Sequence, residues 1–482
     1  MASITSIGIG SGLDIETMIT QLIAAERTPV TKLQKEATSL QTKLSTYGKL
    51  QSGMAALRDA ASALTRATTW GATTGSSSDA AAVAVTTSSS TLPGSYAIEV
   101  QRLASVQSNA SGVYASAESL VGEGTLRIEL GSWSADQSGF TPKAGATAVD
   151  IAVGPPAESL AQLRDKINAS NAGVVASVLT DASGARLVLR SAATGETNGF
   201  RIGVTDTDGN NSDGLGLSAL AFDPSAGILT MAKALAAANA HATLNGLSIS
   251  SESNTLSNVL DGLTLTLGKV TTAPVLAEAK TDTASIRKAL DTFVTAYNDL
   301  NKLVAEQTKY DAASKTAGAL QGDSAAVAIR AQMRNLLGSN GGNSEMFSRL
   351  ADIGFDVQSD GSIKLDETKL ANGLASLGEM KKLFAFSDPL NPGSSGIAVQ
   401  LRIMADQVLS IDGSINTRSE GLRKRIDING ERQERLEDRI TLVEKRLRAQ
   451  YTALDKQMAS LNSLSSYVTQ QIAAMTNSNK NS

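Results

Sequence analysis

The chain has no cysteine and a single histidine, His241, among 482 residues. Disulfides and thiolate metal sites are thereby excluded, and a location outside the cell has to be reached without disulfide help. Aromatic residues make up 4% of the chain, so cores must be built from Ala, Val, Leu and Ile. No apolar run approaches ~20 residues, which leaves no expected membrane insertion. The net charge of −4 argues against a general nucleic-acid binder. Met1 to Leu13 contains no Lys or Arg and so lacks the basic start of a cleaved secretory signal. Export, where it happens, is expected by another route. The length allows about three or four domains.

Long helical seams are what the chain has instead. Near the C-terminus apolar side chains recur at Leu436, Ile440, Val443, Leu447, Tyr451, Leu454, Met458, Leu461, Val468, Ile472 and Met475. Steps of four and three put them on one stripe of a helix. Two successive steps of four, from Val443 through Leu447 to Tyr451, break a strict heptad and locally unwind a supercoil. Residues 431–439 are crowded with charge of both signs, whereas none occurs between Lys456 and Lys480. A stripe this narrow needs a partner helix.

The partner is expected at the other end. Asp14 is placed to cap a helix with Glu16 in its first turn and Ile15, Met18, Ile19 and Leu22 on its apolar face. Thr28-Pro29 is expected to stop it and start another, with Thr28 as cap. The next seam reads Leu33, Ala37, Leu40, Leu44, Tyr47, Leu50, Met54, Leu57, Ala61 and Leu64. Two seams at opposite ends of one chain most simply pair with each other.

Between them the texture changes at Trp70. Val83 and Val85, then Tyr96, Ile98 and Val100, alternate as strands do, and Pro93-Gly94 marks a turn. Leu126, Ile128 and Leu130 form another strand pattern. Residues 174–179 and 186–189 flank a turn at Asp181-Ala182-Ser183-Gly184. Ser159 to Ile167 reads as a short amphipathic helix, and Leu263, Leu265 and Leu267 alternate. After Pro274 helices return: Ile286, Leu290, Phe293, Tyr297, Leu300 and Val304, then 324–337. A hairpin at 353–365 turns at Asp360-Gly361. A further seam runs Ile397, Leu401, Met404, Val408 and Ile411, and the final helix is expected to start near Ser419. The fold class is therefore α+β and multidomain. Terminal leg helices at 1–40 and 440–482 pair as a coiled coil. A helical body occupies 41–99 and 275–439. A β-rich head of two subdomains is inserted at 100–274.

Local motifs for chemistry are weak. Gly8-x-Gly10-x-Gly12 precedes a helix, but it is not the dinucleotide pattern and no strand leads into it. Asp206-Thr-Asp208-Gly-Asn210 hints at a calcium loop, yet Asn211 stands where that loop needs Gly and Leu217 where it needs Glu. His241 has no His or Cys companion in an Ala-rich context, and Glu437-Asp438 reads as a solvated helix face. No catalytic, cofactor-binding or metal-ligating residue is assigned, and no enzymatic activity is expected.

The ends of the chain carry a resemblance. ITSIGIGSGLDIETMITQLIAAERTPVTKLQ resembles the N-terminal signature of the flagellar filament-capping, or hook-associated protein 2, family. LEDRITLVEKRLRAQYTALDKQMASLNSLSSYVTQQIAAM is similar to its C-terminal signature. LDTFVTAYNDLNKLVAEQTKYD, GALQGDSAAVAIR and LADIGFDVQSDGSIKLDETKLANGL are similar to segments between them, and LAQLRDKINASNAGVVASVLTDASGARLVLRS and LNGLSISSESNTLSNVLDGLTLTL to the head.

The resemblance implies export through the flagellar channel without a cleaved signal, with an export chaperone before secretion. It implies a ring of about five copies, with six also proposed, at the distal tip of an extracellular flagellum. Hook–filament junction proteins and flagellin are the other implied partners, and flagellin would be retained under the ring while it folds and polymerises. The leg and oligomer interface would be made by Ile15, Ile19, Leu22, Leu33, Leu40, Leu44, Leu436, Ile440, Val443, Leu447, Tyr451, Leu454, Met458, Leu461, Val468 and Ile472. The uncharged faces of Ile19, Leu22, Val468 and Ile472 would meet neighbouring legs or the filament wall, and the charged half from Arg432 to Arg448 would stay wet. No cofactor is implied. The rival readings are an adhesin whose head binds host mucin and a hook–filament junction subunit.

Overall fold

A computed structural model describes residues 14–313 and 315–478. The glycines at 8, 10 and 12 lie outside the described residues. Helices α1 (Ile15–Glu26), α2 (Thr28–Thr65) and α3 (Ala67–Trp70) lead into strands β1 (Thr73–Ser77), β2 (Val83–Thr87), β3 (Gly94–Arg102), β4 (Ser108–Ala110), β5 (Gly124–Trp133), β6 (Phe140–Pro142) and β7 (Val149–Val153). Helix α4 (Leu160–Ala169) precedes β8 (Val174–Asp181), β9 (Gly184–Ser191), β10 (Gly199–Asp206), β11 (Ala232–Leu235), β12 (Ala240–Leu244), β13 (Leu247–Ser251), β14 (Thr255–Leu260), β15 (Leu263–Leu267) and β16 (Val275–Thr281). Then come α5 (Thr283–Thr308), the short strands β17 (Tyr310–Asp311) and β18 (Thr316–Ala317), α6 (Ser324–Gly338), the hairpin β19 (Phe355–Val357) and β20 (Ile363–Leu365), α7 (Glu367–Leu374), α8 (Leu377–Ala385), α9 (Ile397–Leu409) and α10 (Ser414–Ser478).

The chain forms two units: a helical unit of 1–70 and 286–482, and a β unit of 71–285. The division falls at Gly71 and Ser285, not at the expected 100 and 274. The reason lies in backbone pairing. Strand β3 is hydrogen-bonded between β16 and β12, β16 also carries β1, and β15 carries β2. Residues 73–102 therefore complete sheets whose other strands come some 150–200 residues later.

The β unit has two cores. One packs Ile98, Val100, Ala277 and Ala279 of the five-stranded sheet with Leu263, Leu265 and Leu267 of β15, which alternate inward with strand period two. The other encloses Leu126, Ile128, Leu187, Leu189, Phe200 and Ile202 under α4. That helix starts in a capping box, in which Ser159 Oγ accepts from the Gln162 amide and the Gln162 side chain accepts from the Ser159 amide. Its Leu160, Leu163 and Ile167 are all buried. Asp181 and Gly184 face each other across the β8–β9 turn. His241 stands half-buried on β12, between Ser250 and Arg102. Asp206 is buried, and its carboxylate accepts from the Ser218 amide at 2.9 Å. Its residues are spent on closing their own loop.

In the helical unit, α2 buries Leu50, Met54, Leu57, Ala61 and Leu64 against α5, α6, α8, α9 and the first turns of α10. An aromatic cluster sits there: Trp70 stacks on Phe384 at 5.7 Å, and Phe384 meets Phe355 and Phe293. The β19–β20 hairpin is held on α5 by Tyr297 Oη donating to Gly361 O and by Asn298, which bonds Ile363 in both directions. Burial raises the Tyr297 phenol to about 12. Two sequence expectations are corrected here. Thr28 is the first residue of α2 and does not cap it; Arg27 bridges α1 and α2 with helical dihedrals. Ile411 is not in the α9 seam, because α9 ends at Leu409 and Ile411 is 85% exposed. Gly413 permits the tight reversal, as a Cβ there would strike Val408 O, and α10 begins at Ser414, five residues before Ser419.

Candidate functional site: the terminal helix pair

The site is built on α10, which at 65 residues is about 98 Å long. Its first third lies in the body core through Ile415 and Leu422. The stripe then passes a polar layer, where Asn429 is buried and accepts from Gln433 Nε2 at 2.6 Å. Beyond it, Leu436, Ile440, Val443, Leu447 and Tyr451 pack with Ile15, Met18, Ile19, Ile23 and Val30. Ile15, Ile19 and Ile440 are almost fully buried in this cluster.

Asp14 fixes the start of α1: its carboxylate accepts from the Thr17 amide and hydroxyl, which holds the acid below its usual range. Two residues on, in the first turn, Glu16 takes both terminal nitrogens of Arg448 at 2.7 and 2.8 Å. Arg448 also donates to Glu444 at 2.9 Å. The arginine holds the Glu16 carboxyl below its usual range. Arg27 reaches Glu437 at 3.2 Å and Arg425 reaches Glu36 at 3.5 Å. The charged half of α10 is thus exposed yet partly engaged through Glu437 and Arg448, and with Arg425 ahead of it three ion pairs align α10 on α1, α2 and the Arg27 between them. Such pairs set register more than they add stability.

The predicted interface residues divide into three groups. Ile15, Ile19, Leu436, Ile440, Val443, Leu447 and Tyr451 come together in the α1–α10 cluster. Leu40 is buried and Leu44 half-buried against the body core, while Leu33 is half-buried on α2. Leu22 is 43% exposed on α1, and Leu454, Leu461, Val468 and Ile472 are 43–59% exposed on α10, with Met458 half-buried. Ile19 is a correction: at 1% exposed it offers no face to a neighbouring chain, because α10 covers it. Sequence reasoning missed Ile23 and Val30. The spacing of Ile15, Ile19 and Ile23 at steps of four was the available signal. Among the described residues no cluster of three or more His, Asp or Glu could hold a metal, and no helix is long and apolar enough to cross a membrane.

The class defined here is an α+β multidomain protein whose two ends pair as helices on a helical unit, with a β-rich unit inserted between them. Comparison with known proteins narrows this. Residues 11–107 match the family described as flagellar hook-associated protein 2 N-terminus, residues 237–463 its C-terminus, and residues 139–193 the flagellin hook IN motif. Flagellar hook-associated protein 2 of Escherichia coli K12 is 32% identical over 99% of this chain and its own whole length. The A-type flagellar hook-associated protein 2 of Pseudomonas aeruginosa is 29% identical over 98% of each. A crystal structure of the flagellar cap protein FliD from Escherichia coli superposes with a TM-score of 0.63 at 29% identity, covering 78% of this chain and 99% of that one. The chain belongs to the flagellar hook-associated protein 2 family. That family is one of structural flagellar cap proteins, not of enzymes.

Proposed function

We propose that this chain caps the distal end of a growing flagellar filament. About five copies, with six as the alternative, form a ring whose β units make a plate and whose paired α1 and α10 helices are legs in the filament tip. Flagellin delivered through the channel is retained beneath the plate, folds there and joins the next open site. The chain leaves the cell by the flagellar export apparatus without a cleaved signal, escorted before secretion by a chaperone. It meets the hook–filament junction proteins when it first docks. Support comes from family membership and from one observation above all. Beyond Tyr451, α10 continues with Leu454, Leu461, Leu464, Tyr467 and Val468 each 43–59% exposed, and it carries no charge from Gln457 onward. An uncharged helix showing this much apolar surface is made to be covered by other chains.

The test is deletion of residues 457–482. Both units should stay folded, while filaments fail to grow and flagellin is lost to the medium. Normal filaments from the truncated protein would refute the leg assignment. Electron microscopy separates a cap, which closes into rings, from a junction subunit, which gives open-ended polymers.

A second reading, adhesion by the β unit, is favoured by a cleft of about 370 Å³ lined by Arg102, Trp133, Gln137, Glu196 and Lys233. An indole beside paired charges suits a hydroxyl-rich surface glycan. Binding of mucin that survives Trp133→Ala would exclude this cleft.

A further inference from the structure

We infer that the helical unit docks onto a second copy of itself through a leucine knob and an uncharged groove that share one face. The knob is Leu390, at the tip of the loop between α8 and α9. It is 90% exposed, the highest among the exposed large hydrophobics of the described residues. The loop is nevertheless rigidly tied. The Asp388 carboxylate accepts from the amides of Leu390 and Asn391 and from Ser394 Oγ, at 3.0–3.1 Å. The Asp388 amide in turn donates to Ser395 Oγ at 3.0 Å, and Gly396 N donates to Phe386 O at 2.7 Å. A side chain on such a mount keeps its position before it is bound, so little conformational entropy is lost when it is covered.

The groove lies between α6 and α9, with a volume of about 360 Å³. Leu336, Ile403 and Met404 provide its apolar surface, and Gln332, Asn335 and Gln407 its polar walls. Gln400 is already bonded to Gly393 O and Ser395 O, which fixes the rim formed by Pro392 and Gly393. Among the described residues no hydrogen bond engages the other three amides. No charged side chain lines the groove. Its occupant therefore brings one apolar side chain together with backbone C=O groups to accept from the amides, and brings no charge. The Leu390 tip supplies the leucine side chain with the carbonyls of Pro389 and Leu390, while the neighbouring Asp388 carboxylate is held by the bonds of its own loop.

The second copy is the occupant because knob and groove belong together. Leu390 is two residues from Pro392 of the groove rim, at most about 8 Å along the chain, so both features sit on one face. The ties at Asp388 keep Leu390 out of its own groove. Two copies related by a two-fold axis fill both grooves at once, the self-complementary arrangement of an isologous contact. Such a pair joins copies facing opposite ways, so it is separate from the proposed ring, where all copies face alike.

The absence of cysteine makes the test clean. Full-length L390C and I403C are mixed and treated with a short bis-maleimide, and the L390C/I403C double variant is treated alone. The mixture should give a covalent dimer, and the double variant a dimer and nothing larger. No linked product from the mixture, or a ladder of trimers and higher species from the double variant, would overturn the inference. So would a product formed only with added flagellin. In sedimentation, L390D should raise the dissociation constant of the pair at least tenfold with unchanged far-UV circular dichroism and unchanged rings. Unaltered pairing in L390D would sink the proposal while leaving the cap reading intact.

Discussion

Glu16 and Arg448, 432 positions apart in the chain, meet fork to fork at 2.7 and 2.8 Å. They join the first turn of α1 to the part of α10 just before the exposed tail. A bidentate pair fixes both the angle and the axial register of the two helices, and the apolar cluster beside it supplies most of the attraction.

The first prediction concerns acidity. The Glu16 carboxyl is held below its ordinary range, chiefly by its bonds to Arg448. Its contribution is present above the unfolded-state value and is lost as pH falls through the folded one. The protection factors of α1 amides, taken relative to intrinsic exchange at each pH, should therefore fall between about pH 5 and pH 3. In Glu16→Gln that acid-dependent part should shrink, leaving faster exchange at neutral pH. Identical pH profiles for the two proteins would deny the pair any part in docking α1.

Charges placed in the apolar cluster test it directly. Leu436→Asp with Ile440→Asp should cost upward of about 3 kcal/mol of α1–α10 pairing, from two lost apolar side chains plus buried charge. The loss should be confined to α1, because α10 stays anchored at Ile415 and Leu422. Residue-resolved exchange measures this; unchanged protection of Ile19 and Ile23 would show that the stripe is no interface.

The Asn429–Gln433 layer should answer oppositely to two substitutions. Gln433→Ala strands a buried amide and should cost about 1–3 kcal/mol. Asn429→Leu removes the polar group altogether and should leave the thermal midpoint unchanged or higher, at the expense of register. Calorimetry of the two variants decides the matter, and a fall for both would mean that Asn429 has further essential partners.

Residues 71–285 should fold alone. Thr73 pairs with Thr281 across β1 and β16, so entry and exit lie side by side, and two cores are complete within these limits. A cooperative thermal transition of the excised segment is expected; a molten product would show that the helical unit is needed.

The helical parts of the fold were legible because their signals are local. Leu50, Met54, Leu57, Ala61 and Leu64 announce a buried face by spacing alone, and the amphipathic stretch from Ser159 to Ile167 announces a short helix. The same spacing could not say that Ile411 lies past a reversal, since one seam step and one loop step look alike. Strand patterns at Ile98–Val100 and Leu263–Leu267 were also legible. Their order was not, because the neighbours of β3 are β12 and β16, far along the chain, and nothing nearby encodes them. That misplaced the boundary by some thirty residues on one side. At the terminal pair the stripe on α10 could be read, whereas which of its residues face α1 rests on the pairing register set by Arg27 and Arg448.

The unbroken hydrogen-bonded backbone of α10 has a mechanical side. From Ile415 in the body core to Val468 near the far end the helix is continuous and free of proline, and its two glycines, Gly421 and Gly430, do not interrupt it. A push or twist applied at Val468 is therefore delivered to the packing around Ile415 and Leu422 as a stiff rod delivers it, without being absorbed on the way. Movement of whatever surrounds the tip becomes torque on the body.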